Sequence, residues 1–353
     1  MKYLGLVPLV ISAVATTALA ANPADVAAPA ASNAAAERVL VLEGRTELPG
    51  YSGDFDHLAA DLKANRLFLA AEDHGTLEVF DLKSGKHLKS VGGFETPHTI
   101  FPITQKHQLL VTDGSKAIKL LDEDTLAPVG DIVLHPGADS LGYDPASKHL
   151  FVVTGGKDVK MKESWLEEID PVTSQKIGEI HFDADHVEAL VMEPHGPRLY
   201  INLTDKNQLA VINKTNRQIV AQWPIHDAEQ NALVQLDEAT RRLFIVTRKP
   251  AKLVVLDADS GAPVAKFGAP ARVDAEIFDE SNRRVYVVGG EGYIGVYSER
   301  DANHIIELAH VSSAVGAKTA LLVPELHRLY VAVSPGEGKS GGAILWFDVK
   351  PAS

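Results

Sequence analysis

The residues best equipped for chemistry in this chain are three histidines with acids nearby. His57, His74 and His98 stand in the segments GDFDH, AAEDHG and ETPHTI. Three imidazoles and a carboxylate can hold zinc with one position open, where a bound water becomes a nucleophile near neutral pH. A wider set emerges by counting. Seven β-rich runs open at Leu67, Leu109, Leu150, Leu199, Leu243, Val285 and Leu329, and eleven places before them stand Asp56, His98, Asp139, Glu188, Ala232, Asp274 and Lys318. Six of these seven are ionisable although their neighbours are mainly apolar or small, so charge recurs at one register of a repeat. The loops that follow the β-rich runs add Glu72, Asp73, Asp113, Asn202 and Arg248, and His57, Asp185, His186 and Asn231 lie beside the register.

Carboxylates suit Ca²⁺ or Mg²⁺, and imidazoles suit Zn²⁺ or other transition ions. The same groups can instead bind a polar ligand directly, or hydrogen-bond loop backbones around a water-filled channel. The ligand-binding set read from the sequence is Asp56, His57, His74, His98, Asp139, Glu188, Asn231, Asp274 and Lys318. His57, His74 and His98 are its candidate metal ligands, a divalent ion is the candidate cofactor, and no residue is assigned a catalytic role.

The elements that must position these groups are repeats. Two apolar residues followed by Asp, Asn or Ser recur with their polar members at Asp81, Asp122, Asp170, Asn213, Asp257, Ser298 and Asp348, spaced 41 to 50 residues apart and in step with the β-rich runs. Each unit reads as four short strands separated by Gly, Asp, Asn and Pro turns, with no room for a long helix. Four antiparallel strands every 40 to 50 residues describe a propeller blade, and stacking blades round an axis buries both faces of every sheet. The expected fold is all-β, a seven-bladed β-propeller. Only Val349–Ser353 follow Asp348, so the seventh unit lacks its fourth strand, while residues 37–48 (ERVLVLEGRTEL) form an orphan strand at the other end. If that strand completes the last blade, no open sheet edge separates the first blade from the last.

The N-terminus reads differently. Lys2, an apolar run from Leu4 to Val14 and Ala18-Leu19-Ala20 before Ala21 make residues 1–20 an export signal. The Ala-rich, proline-containing residues 21–36 read as a flexible tether, and residues 37–353 as a single propeller domain. The apolar run is too short for a comfortable membrane span, and none follows. The location implied is periplasmic or secreted.

Composition narrows the function. The 353 residues carry 47 Asp and Glu against 34 Lys and Arg, a net charge of −13, with no basic cluster to face a nucleic acid. Cysteine is absent, which removes disulfides, thiolate metal sites and cysteine nucleophiles. No HExxH or CxxCH occurs, so a helix-borne zinc protease and covalent haem find no support. Gly155-Gly156, Gly289-Gly290 and Gly341-Gly342 lack the strand-to-helix setting of a phosphate loop and read as positive-φ turns. Long loops are expected around residues 157–165 and 335–342.

The runs LFLAA, LLVTD, LFVVT, LYINL, LFIVT, VYVVG and LYVAV, followed in most copies by two apolar residues and Asp, resemble the YVTN repeats of the YncE-like β-propellers of exported bacterial proteins. The resemblance spans residues 37–350, and no copy reads YVTN itself. It implies the propeller scaffold and export, not a reaction. Two functions follow as expectations. The leading one is a non-enzymatic monomer whose channel mouth binds a protein, glycan or small ligand. The alternative is a metal-dependent lactonase, hydrolase or lyase centred on His57, His74, His98, Asp139 and Glu188.

Overall fold

The computed structural model describes residues 36, 38–114, 117–336 and 339–352. The export signal read at residues 1–20 lies outside these residues, and so does the tether apart from Ala36, which packs into the folded body.

Seven sheets of four antiparallel strands make up the fold. Blades 1 to 6 occupy residues 58–92, 97–133, 141–182, 187–224, 229–268 and 273–312, each with its four strands in sequence order. Blade 7 is built from residues 317–349 and from Leu40–Glu47, which pairs antiparallel with Ala343–Val349 as its outermost strand. The orphan strand thus closes the ring.

The β-rich runs are the second strand of each blade, and they are continuous apolar stretches because blades cover both of their faces. Leu67, Phe68, Leu69 and Ala70 of blade 1, and Val285, Tyr286, Val287 and Val288 of blade 6, are fully buried. Their alternate side chains feed different neighbours. Phe68 and Ala70 pack with Ile100 and Val111 of blade 2, whereas Leu67 and Leu69 pack with Tyr330 and Ala332 of blade 7. Among the described residues there are seven such apolar clusters, one for each junction round the ring. Tyrosines stitch three junctions with polar bonds: the Tyr200 hydroxyl donates to the Ala258 carbonyl at 2.9 Å, Tyr297 donates to that of Gly268, and Tyr330 to that of Leu82.

One detail departs from the sequence reading. Gly155, Gly156, Gly341 and Gly342 do have positive φ, but Gly289 and Gly290 do not. Gly289 is required by close approach, since a Cβ there would lie 2.5 Å from Pro270 Cβ and 2.6 Å from the Ala271 carbonyl oxygen. The acids that end the innermost strands pair in two ways. Asp61 takes Arg66 of its own hairpin at 2.8 Å. Glu193 and Asp237 instead take Arg241 and Arg283, which sit in tight positive-φ turns of the next blade and so reach across the junction.

Candidate functional site

The innermost strand of each blade begins at one end of the central channel, and the ionisable register lies at that beginning. In five blades the strand bulges there. Pairing skips between Pro97 and Ile100, Val187 and Leu190, Asn231 and Leu233, Val273 and Ala275, and Ala317 and Thr319. A bulge leaves a residue out of the ladder and re-aims its side chain. The residues left out include His98, Glu188, Ala232, Asp274 and Lys318. Asp56 and Asp139 stand just ahead of their strands, held by N–H bonds to the carbonyls of Ala70 and Val153. The register therefore has a mechanical cause: it marks where each blade releases one side chain to the channel mouth.

Of these register residues Asp56, His98, Asp139, Glu188 and Asp274, but not Ala232 or Lys318, line a cavity of about 300 Å³ whose walls also include His57 and Glu72. Asp56 is the hub of its acidic side. Its carboxylate accepts from His98 Nδ1 at 2.6 Å and lies 3.4 Å from His57 Nε2, and Asp139 stands 3.8 Å from the same His98 nitrogen. Burial alone would neutralise Asp56, but His57, His98 and Lys318 outweigh it and hold the carboxyl well below its ordinary range. Burial likewise opposes the His98 cation, and Asp139, Asp56 and Glu72 overcome it, carrying the imidazole up to about 10. Glu72 and Asp139 go the other way. Burial, helped by the charge of Asp56, pushes Glu72 up to about 7 and Asp139 up to about 6. Carboxyls driven apart in this way are the signature of a site able to hold or move protons and cations.

The other side is cationic and locked. Arg248 bridges Glu188 at 2.8 Å and Asp274 at 3.1 Å, and Lys318 bridges Asp54 at 3.0 Å and Asp274 at 3.1 Å. Burial disfavours a charged Glu188, yet His186 and Arg248 hold its carboxyl down at about 2. Blade 5 contributes Ala232 at the register, and Arg248 from its second strand supplies the charge that Ala232 lacks.

His57 and His98 are brought together with Asp56, but His74 is not. Glu72–His74 form a single 3₁₀ turn that sends Glu72 into the cavity and leaves His74 exposed, tilted against Tyr51 with ring centroids 4.6 Å apart. Asn231 is fully buried and donates to Asn202 Oδ1 at 2.6 Å and to the Gln208 carbonyl at 2.8 Å, away from the cavity lining. Among the described residues the donor sets able to hold a metal at the mouth are Asp56, His57 and Asp139, and Asp56, Glu72 and His98; the donor atoms within each set lie within 4.8 Å of one another. A third set lies outside the mouth cavity, with Glu167 and Glu179 on blade 3 and His135 in the connection that leads into it. Its Glu167 already bonds His135, Thr154 and Lys176, so it reads as a structural ion network.

Asp54 and Lys157 are site residues the sequence reading did not single out. Lys157 Nζ lies 2.8 Å from the His186 ring. The length of the loop around residues 157–165 was the signal available for it. That loop does reach the mouth: Asp158, Val159 and Ser164 line the cavity.

No family model matches the chain, and no curated protein sequence matches it. Among solved structures the chain is similar to the hydrazine synthase of Kuenenia stuttgartiensis, with a TM-score of 0.68 at 13% identity, over 82% of this chain and 94% of that one. At that identity the likeness concerns the propeller fold alone.

Proposed function

We propose that this chain is an exported, YncE-like binding propeller whose channel mouth takes a small polar ligand through a cationic group. The observation that supports it most is the placement of Glu72 and Asp139. Both face the cavity beside a protonated His98, and neither is tied into the tight ion pairs that occupy Arg248 and Lys318. A ligand cation seated between them would relieve the charge cost that pushes both carboxyls upward. The export signal read at residues 1–20 supports a location outside the cytoplasm.

Saturation-transfer NMR against a panel of amino sugars and amino acids tests the reading. At least one cationic member should bind, and the double variant Glu72→Gln/Asp139→Asn should weaken it at least ~10-fold, the effect of losing about 1.4 kcal/mol of charge-assisted bonding. Equal binding by the wild type and the double variant would overturn it.

A second reading is favoured by the two donor sets that share Asp56. With a divalent ion there, the mouth would work as a metal-assisted lactonase, hydrolase or lyase. Untagged protein would then carry stoichiometric metal, lose it on Asp56→Asn, and turn over members of a lactone and ester panel. Protein that acquires no metal and shows no turnover would remove this reading.

A further inference from the structure

Below the mouth the channel continues as a second cavity of about 230 Å³, and the two share His57, Ser140, Ala189, Leu233 and Asp274 in their walls. Its lining falls at another repeat register, nine places before the β-rich runs, which lies roughly 6–7 Å further along the strands. That register supplies Leu58, Leu141, Leu190, Val234, Ala320 and Glu276. Whereas the mouth register is almost wholly ionisable, here Glu276 alone is charged. It is 5% exposed, and neither carboxyl oxygen has a hydrogen-bond partner. Thr99, in the same wall, also has a buried hydroxyl with no partner. A buried carboxyl without a partner costs stability. The hairpin that carries it is otherwise regular, with Glu276 opposite Val287.

We propose that this inner channel is a binding subsite for a primary alkylammonium group, with its N–H bonds on Glu276 and its methylenes against the aliphatic ring. A metal ion would need several ligand atoms at close range, and among the described residues no donor set of three or more includes Glu276. Asp274, the other carboxylate of this wall, is already bridged by Arg248 and Lys318 at the mouth end, so unpartnered Glu276 among Leu58, Leu141, Leu190 and Val234 matches a group with one charge and a hydrocarbon body. The ligand enters through the mouth, but its binding groups are separate from Glu72 and Asp139.

The test is calorimetric titration of the full chain with methylammonium, butylammonium and 1-butanol. Butylammonium should bind more tightly than methylammonium by roughly threefold to fourfold per methylene. Glu276→Gln should weaken butylammonium at least tenfold while leaving 1-butanol within twofold, and the gain per methylene, which the polar mouth does not supply, should persist in Glu72→Gln/Asp139→Asn. Glu276→Leu, which keeps the wall apolar, should behave as Glu276→Gln does and melt no lower than the wild type, so a folding failure of one variant leaves the other to decide. Unchanged butylammonium affinity in both Glu276 variants would overturn the proposal, as would loss of the chain-length gain in the mouth variant, or displacement of the amine by K⁺ or Ca²⁺ alone at equal concentration. Because the mouth panel and the amine series respond to different variants, either reading can fail without the other.

Discussion

A chain lacking residues 37–48 is expected to melt at least ~10 °C below the full chain. Leu40–Glu47 is the outermost strand of blade 7, and its removal exposes the whole edge of Ala343–Val349. It also takes Val39, Leu40 and Leu48 out of the core, each 2% exposed. Burying one such side chain contributes about 1.5–3 kcal/mol, and each kcal/mol is worth roughly 2–4 °C in a domain somewhat smaller than this one. The loss also falls at the one junction where strands from opposite ends of the chain share a sheet. The melt should broaden as well as fall, because a ring without its closing strand can open from blade 7. Circular dichroism on heating reads both changes; a curve superimposable on the wild type would show that closure does not depend on this strand.

Asp56→Asn is expected to lower the His98 imidazole from about 10 by roughly 1–3 units, the usual effect of a neighbouring opposite charge. NMR titration of the ring protons reads it directly. The link to stability has a definite sign. A histidine raised from 6.5 contributes stability that is full below 6.5 and lost as pH climbs towards 10, while the depressed Asp56 contributes above 3.8 and loses its effect as pH falls below that value. The pair should thus stabilise the wild type most between about pH 4 and 6.5. The gap in unfolding free energy between wild type and variant should shrink between pH 7 and 10. A gap independent of pH across that range, or a His98 that titrates near 6.5 in the wild type, would contradict the hub role of Asp56.

The blades were legible because closure forces periodicity: every junction needs an apolar second strand, so LFLAA and VYVVG announce themselves at a fixed step. The mouth register was legible for a related reason, since the bulge that frees His98 or Lys318 recurs at the same count in five blades. What counting along the chain could not convey was direction. Glu72 and His74 are two residues apart in one 3₁₀ turn, and only the turn decides that the acid faces the cavity and the imidazole the solvent. Asn231 likewise sits beside the register, but its amide is spent on Asn202 and Gln208. Arg241 and Arg283 reach partners in a neighbouring blade, a relation that no spacing within one repeat expresses. Glu276 escaped because a single acid in one repeat resembles noise until the channel wall is assembled ring by ring.

The seam in blade 7 also frees the chain's order from its architecture. Leu40 lies opposite Val349, and the Lys350 amide donates to the Val39 carbonyl at 2.9 Å. A few residues would join positions 39 and 350, and new ends could then be cut in any exposed turn linking one blade to the next. Every junction and every mouth residue would survive such a circular permutation, because each depends on which blades adjoin and none on where the chain starts.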